Sequence, residues 1–206
     1  MNFFGHAVAA QQIDDDPAFL LGAMAPDLLP LCGAVAAAAT SPRVAAGQAH
    51  HLQVDALFHA NPAFTELLVW ATRSLRDRGL GRGPARAVAH VGVELFLDGE
   101  LARRGRAREV YLRSLVEAET TRAPFEWADE ASSERWRAMV VRLRAGAIPD
   151  AYREPAFVAA RLIGALAHRP RLALTDEGEG ILRAFLPALG ARVREETVAL
   201  IAPVVA

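Results

Sequence analysis

The sequence predicts an all-α fold, a single-domain helical bundle of about eight or nine helices, on three observations. Apolar residues recur with a period near 3.6 through 62–78, 84–104, 135–145, 155–168 and 180–201. Helix-start and helix-stop residues are dense and stand in the right order. No segment shows sustained period-two alternation bounded by hairpin turns, so no sheet is expected. With 206 residues, 52% of them hydrophobic, one domain over 1–206 can bury a sizeable core.

The elements follow in order. The N-terminal segment NFFGHAVAA is apolar around His6, has no basic flank and does not read as a signal peptide. FLLGAMAPDLLPLCGAVAAAA is the most apolar stretch, yet Pro26, Asp27 and Pro30 break it, so no membrane span is expected. Ser41-Pro42 and Asn61-Pro62 each read as an N-cap followed by proline at the first helical position. Gly79 and Gly105 fall where helix-terminating glycines belong, and Gly83-Pro84 opens the helix between them. Residues 119–134 are the most loop-like stretch and read as a flexible excursion. Thr175-Asp176-Glu177 supplies a cap and two acids to a last helix.

Charge and cysteine content narrow the function classes. A formal charge of −1 argues against a nucleic-acid binder that works by global charge. All 23 basic residues are arginine. The single cysteine, Cys32, makes no internal disulfide, which fits a reducing, cytoplasmic setting.

The chemistry is concentrated in two rows of polar residues. His90, Glu94 and Asp98 recur every fourth residue in AHVGVELFLDGELARR, and His51, Asp55 and His59 do the same in HHLQVDALFH. Residues four apart drift by only about 40° around a helix, so each row shares one face. Two such rows could face each other across a bundle core. A buried, isolated carboxylate costs several kcal/mol, roughly, unless it is paired or bound to metal. No arginine lies between residues 44 and 72, so the 51–59 row lacks a basic partner in its own segment. A divalent metal held by His6, Asp27, His51, Asp55, His59, His90, Glu94 and Asp98 would satisfy these groups together. A structural polar network is the rival reading, in which Asp27, following Pro26, is only a helix N-terminal residue.

The segments resemble those of the acyl carrier protein phosphodiesterases, helical hydrolases related to HD-domain phosphohydrolases. The likeness rests on Asn2-Phe3 with His6, Gly22 with Asp27, HLQVDALFHANPAF, VELFLDGELARR, Tyr152-Arg153 and RPRL at 169–172. In that pattern His51, Asp55 and Asp98 match, Glu94 stands for an aspartate, and Arg169 and Arg171 would bind phosphate. The chain departs from it at His59, Gly99 and His168, where the family has aspartate, histidine and arginine, and in having His90. His59 and His90 bring it nearer to a second helical group, the zinc-dependent phospholipase C and P1-type nuclease enzymes. There the ligand order is similar to His6, Asp27, His50, His51-x-x-x-Asp55, His59 and His90-x-x-x-Glu94 here.

Both resemblances imply an HD-like or phospholipase C-like fold and metal-dependent cleavage of a phosphoester. The expected enzyme is a phosphodiesterase that uses one or more Zn²⁺, Mn²⁺ or Fe²⁺ ions. Asp98 is the expected general base, with Asp27 as a further catalytic candidate. Arg103, Arg104, Arg106 and Arg108 form a basic run that could meet an acidic carrier protein. The alternative is a non-catalytic binding or scaffold protein on a hydrolase-like fold. Composition does not define the oligomeric state.

Overall fold

The computed structural model describes residues 1–103, 105–120, 124–146 and 148–205. Among them nine α-helices account for nearly all regular structure: α1 (Phe3–Gln11), α2 (Pro17–Cys32), α3 (Pro42–Ala60), α4 (Pro62–Asp77), α5 (Arg82–Leu101), α6 (Gly105–Thr120), α7 (Glu130–Ala145), α8 (Pro155–Ala167) and α9 (Asp176–Val205). The all-α expectation holds. No helix among the described residues is long and apolar enough to cross a membrane.

Three local expectations need correction. A small sheet exists: β1 (Ala36–Ala39) pairs antiparallel with β2 (Phe125–Trp127). The β1 segment is a run of alanines, the best helix formers, so only pairing with a distant strand explains its extended backbone. The stretch 119–134 accordingly carries β2 and the start of α7, and Phe125 within it is buried; residues 121–123 lie outside the described residues. Gly105 opens α6 instead of closing α5.

Most caps behave as the sequence predicts. The Asn61 side chain accepts from the Ala63 amide at the start of α4. Thr175 Oγ1 accepts from the Gly178 amide at the start of α9, and Ser41 Oγ from the Val44 amide at the start of α3. Gly79 follows α4 at φ 101°, in the left-handed region that side chains avoid. Helix α5 begins at Arg82, two residues before the proline that marked its start.

The chain divides into two units. The first comprises Met1–Leu57 with Leu101–Ile148 and Val205. Its core joins Phe3, Phe4 and Val8 of α1, Leu20, Leu21 and Met24 of α2, and Tyr111 and Leu115 of α6. Residues 3–10 of α1 are all buried, as expected of a helix that is apolar on every side. The second unit comprises Phe58–Glu100 with Pro149–Val204. There Phe64, Leu67, Val93, Phe96, Leu162, Phe185 and Leu189 are buried, from α4, α5, α8 and α9. The Asn61 amide nitrogen also donates to the Ala199 and Leu200 carbonyl oxygens of α9, at 2.9 and 3.0 Å.

Two candidate metal centres

In the first unit the site is built on a close helix crossing. Gly22 of α2 and Gly47 of α3 meet backbone to backbone. A Cβ on Gly47 would lie 2.7 Å from the Ala23 nitrogen, and one on Gly22 would lie 2.9 Å from the Val44 carbonyl carbon. Only glycine permits that approach. It lets His51, one turn beyond Gly47, donate from Nδ1 to the Ala23 carbonyl oxygen at 2.8 Å. A carbonyl can only accept, so the bond fixes the proton on Nδ1 and leaves the Nε2 lone pair available, the arrangement typical of a metal-ligating histidine.

His6, Asp27 and His51 converge there, with one potential ligand atom from each within 4.8 Å of the others. The His6 and His51 rings stack with centroids 3.7 Å apart. His6 is fully buried and neither ring nitrogen has a hydrogen bond. Its Nε2 lies 3.6 Å from Asp55 and 3.9 Å from Asp27. Burial pulls its pKa down from 6.5 to about 4, and the imidazole of His51 adds to the effect, while Asp55 opposes it. Burial also lowers His51. Two neutral imidazoles beside a carboxylate form a donor set suited to a divalent ion. Asp55 accepts from the α-amine of Met1 at 2.8 Å. Asp27 lies inside α2, ten residues past its start, so the helix N-terminal reading does not hold for it.

The second unit holds a second group, His59, His90 and Glu94. His90 and Glu94 are one turn apart on α5, and His59 comes from the last turn of α3. His59 Nε2 lies 3.2 Å from His90 Nε2, and the two lie 3.4 and 3.1 Å from Glu94 Oε1. Ligand atoms bound tetrahedrally at 2.0–2.1 Å are separated by about 3.3 Å. The three atoms thus outline one face of such a tetrahedron. Phe64 of α4 stands edge-on to both imidazoles, with centroids 5.3 Å from His59 and 5.4 Å from His90. Burial alone would raise the Glu94 pKa, but hydrogen bonds from His59 and His90 outweigh it and hold the carboxyl well below its usual range.

The groups differ in access. In the first group His6 and His51 are buried and the Asp27 side chain is 28% exposed, whereas in the second the His59 and His90 side chains are 33% and 34% exposed and Glu94 is 13% exposed. A two-histidine, one-glutamate set with an open side is one of the compositions that catalytic metal sites use.

The remaining predicted residues are members of neither group. Asp98 is fully buried and belongs to neither group. Beside it, a Cβ on Gly99 would lie 2.7 Å from the main chain of Tyr152 and Arg153. A histidine at that position would strike the same main chain. The next residue, Glu100, receives Arg194 at 3.2 Å and Arg153 at 3.9 Å. Arg169 and Arg171 are exposed after α8, and the Arg171 carbonyl passes 3.6 Å from where a Gly83 Cβ would be. Gly83 is eleven residues from Glu94, about 16 Å along the helix. In the basic run Arg106 is ion-paired with Asp15, and Arg104 lies outside the described residues.

Three contributors to the sites are not among the residues the sequence points to: Gly47, the Ala23 carbonyl and Phe64. Only Gly47 leaves a readable sign, a glycine in the middle of a helical run. No family model, curated protein or solved structure matches this chain.

Proposed function

We propose that the protein is a divalent-metal-dependent phosphodiesterase, with His59, His90 and Glu94 as its reaction centre and His6, Asp27 and His51 as a second metal site whose two imidazoles are buried. The observation that carries the reading is the partly exposed triangle of His59, His90 and Glu94, with edges of 3.1–3.4 Å. When bound, a divalent ion supplies positive charge to a phosphoryl oxygen and acidifies a coordinated water. The mixed nitrogen and oxygen donors suit Zn²⁺, Mn²⁺ or Fe²⁺. Glu94, ionised through its two imidazole partners, brings the negative charge that such an ion needs. Phe64 walls one side of the imidazole pair and holds the rings in place.

The choice of phosphoesters rests on the resemblance to acyl carrier protein phosphodiesterases and to the phospholipase C and P1-type nuclease group. The test combines metal analysis by mass spectrometry, on untagged protein, with hydrolysis of bis(p-nitrophenyl) phosphate. The expected result is near-stoichiometric metal and metal-dependent turnover. His90→Ala is expected to lose one metal and at least 100-fold in turnover, in keeping with removal of a ligand. Metal-free protein whose behaviour is indifferent to added metal would replace this reading with that of a binding or scaffold protein.

A further inference from the structure

A cleft of about 610 Å³ runs between α4 and α5, and its lining includes Thr72, Arg73, Arg76, Asp77, Arg82 and Arg86. It holds four guanidinium groups against one carboxylate in a chain whose formal charge is −1. Several arginines elsewhere have a carboxylate partner: Arg43 with Asp14, Arg144 with Glu119, Arg192 with Glu196, Arg194 with Glu100. None of the four cleft arginines has a carboxylate within 4 Å among the described residues. The pairs repel one another as well, because Arg73 and Arg76 are three apart on α4 and Arg82 and Arg86 four apart on α5. Like charges at those spacings destabilise a helix, so an anion bound between them would relieve the repulsion.

The row on α5 does not stop at Arg86. Arg82, Arg86, His90 and Glu94 follow at intervals of four, along one stripe of the helix. Arg86 and Arg82 therefore precede His90 by about 6 and about 12 Å along the axis. Guanidinium forks pair with the oxygens of phosphate, and a 610 Å³ cleft has the size of a small-molecule site. We propose that this cleft binds the distal phosphate groups of a small, multiply phosphorylated substrate, whose ester bond is presented to His59, His90 and Glu94. The substrate assignment rests on the phosphodiesterase reading; the anion site stands on the cleft itself.

The test is calorimetric titration of inorganic tripolyphosphate into the full chain, both as purified and after chelator treatment. The Arg82→Gln/Arg86→Gln double variant and Arg161→Gln, an exposed position on α8, are measured alongside the wild type. None of these substitutions changes a candidate metal ligand, so any heat from metal chelation is common to all three proteins. The expected result is saturable binding by the wild type, weakened at least tenfold in the double variant and unchanged in Arg161→Gln. Equal affinity in all three proteins, or equal weakening by Arg161→Gln, overturns the proposal. So does competition by poly-glutamate that is stronger than by tripolyphosphate, which would make the cleft a docking surface for an acidic chain. Specific tripolyphosphate binding without bis(p-nitrophenyl) phosphate hydrolysis would retain the anion site and remove the phosphodiesterase reading. Hydrolysis with no difference in tripolyphosphate affinity would do the reverse.

Discussion

His6 shows at the scale of one residue how burial becomes a pH dependence. Its folded pKa of about 4 lies below the ordinary 6.5, so below pH 6.5 the unfolded chain takes up a proton that the folded chain refuses. The stability tied to this group is fully present above 6.5 and is lost as pH falls from there through about 4. The difference between the two pKa values corresponds to roughly 3 kcal/mol. In chelator-treated protein, urea unfolding at pH 7 and pH 4.5 should therefore show a smaller loss for His6→Gln than for the wild type. An identical loss in both proteins would show that His6 is not held neutral by the fold. The residue scale is also where the sequence is most readable. The rows at 51–59 and 90–98 are visible as rows because i,i+4 spacing is a property of one helix. His6 and Asp27 stand in the ligand set expected from sequence, but the division of that set into two groups is not visible there. His51 joins His6 and Asp27, which lie 45 and 24 residues upstream, while His59 joins α5. Each of those upstream residues looks unremarkable alone, and which of them meets His51 is decided by the crossing of α2 and α3.

At the scale of elements, the α2–α3 crossing and the tie between Asn61 and α9 carry the geometry. In an open helix, glycine to alanine stabilises by about 1 kcal/mol. At Gly47 the added methyl would strike the backbone of α2, so Gly47→Ala should instead destabilise by about 1–3 kcal/mol. It should also weaken metal binding at His6, Asp27 and His51. Gly164 on α8 is the control: nothing stands within 4 Å of its Cβ position, and Gly164→Ala should raise the melting temperature. Were both variants stabilised, the close-approach argument would fail. Asn61→Ala removes a helix cap and two hydrogen bonds to α9, one of them buried, at once. The expected cost is about 2–4 kcal/mol, read from the midpoint of denaturant unfolding. The cap was legible in Asn61-Pro62, but the tie to Ala199 and Leu200 was not, since local propensity carries no information about a partner 138 residues away. The strand at 36–39 was hidden for the same reason: polyalanine looks helical until a distant partner claims it.

At the scale of the whole chain, each of the two units contains one candidate centre. Metal content should therefore approach two ions per chain and fall to one in either His51→Ala or His90→Ala, with near-zero content in the combined variant. A single ion lost in full by both substitutions would contradict two separate centres. On the proposed metal reading each ion binds the native chain in preference to the unfolded one, so a chelator should lower the melting temperature and added Zn²⁺ or Mn²⁺ should restore it. Gly99 sets a limit on how such a chain can change. A histidine at that position, as in the acyl carrier protein phosphodiesterase pattern, would place its Cβ 2.7 Å from the main chain at Tyr152 and Arg153. The 150–153 turn would have to move away first. Position 99 is thus epistatic on that turn: any residue larger than glycine fits there only in company with a change that shifts the main chain of Tyr152 and Arg153.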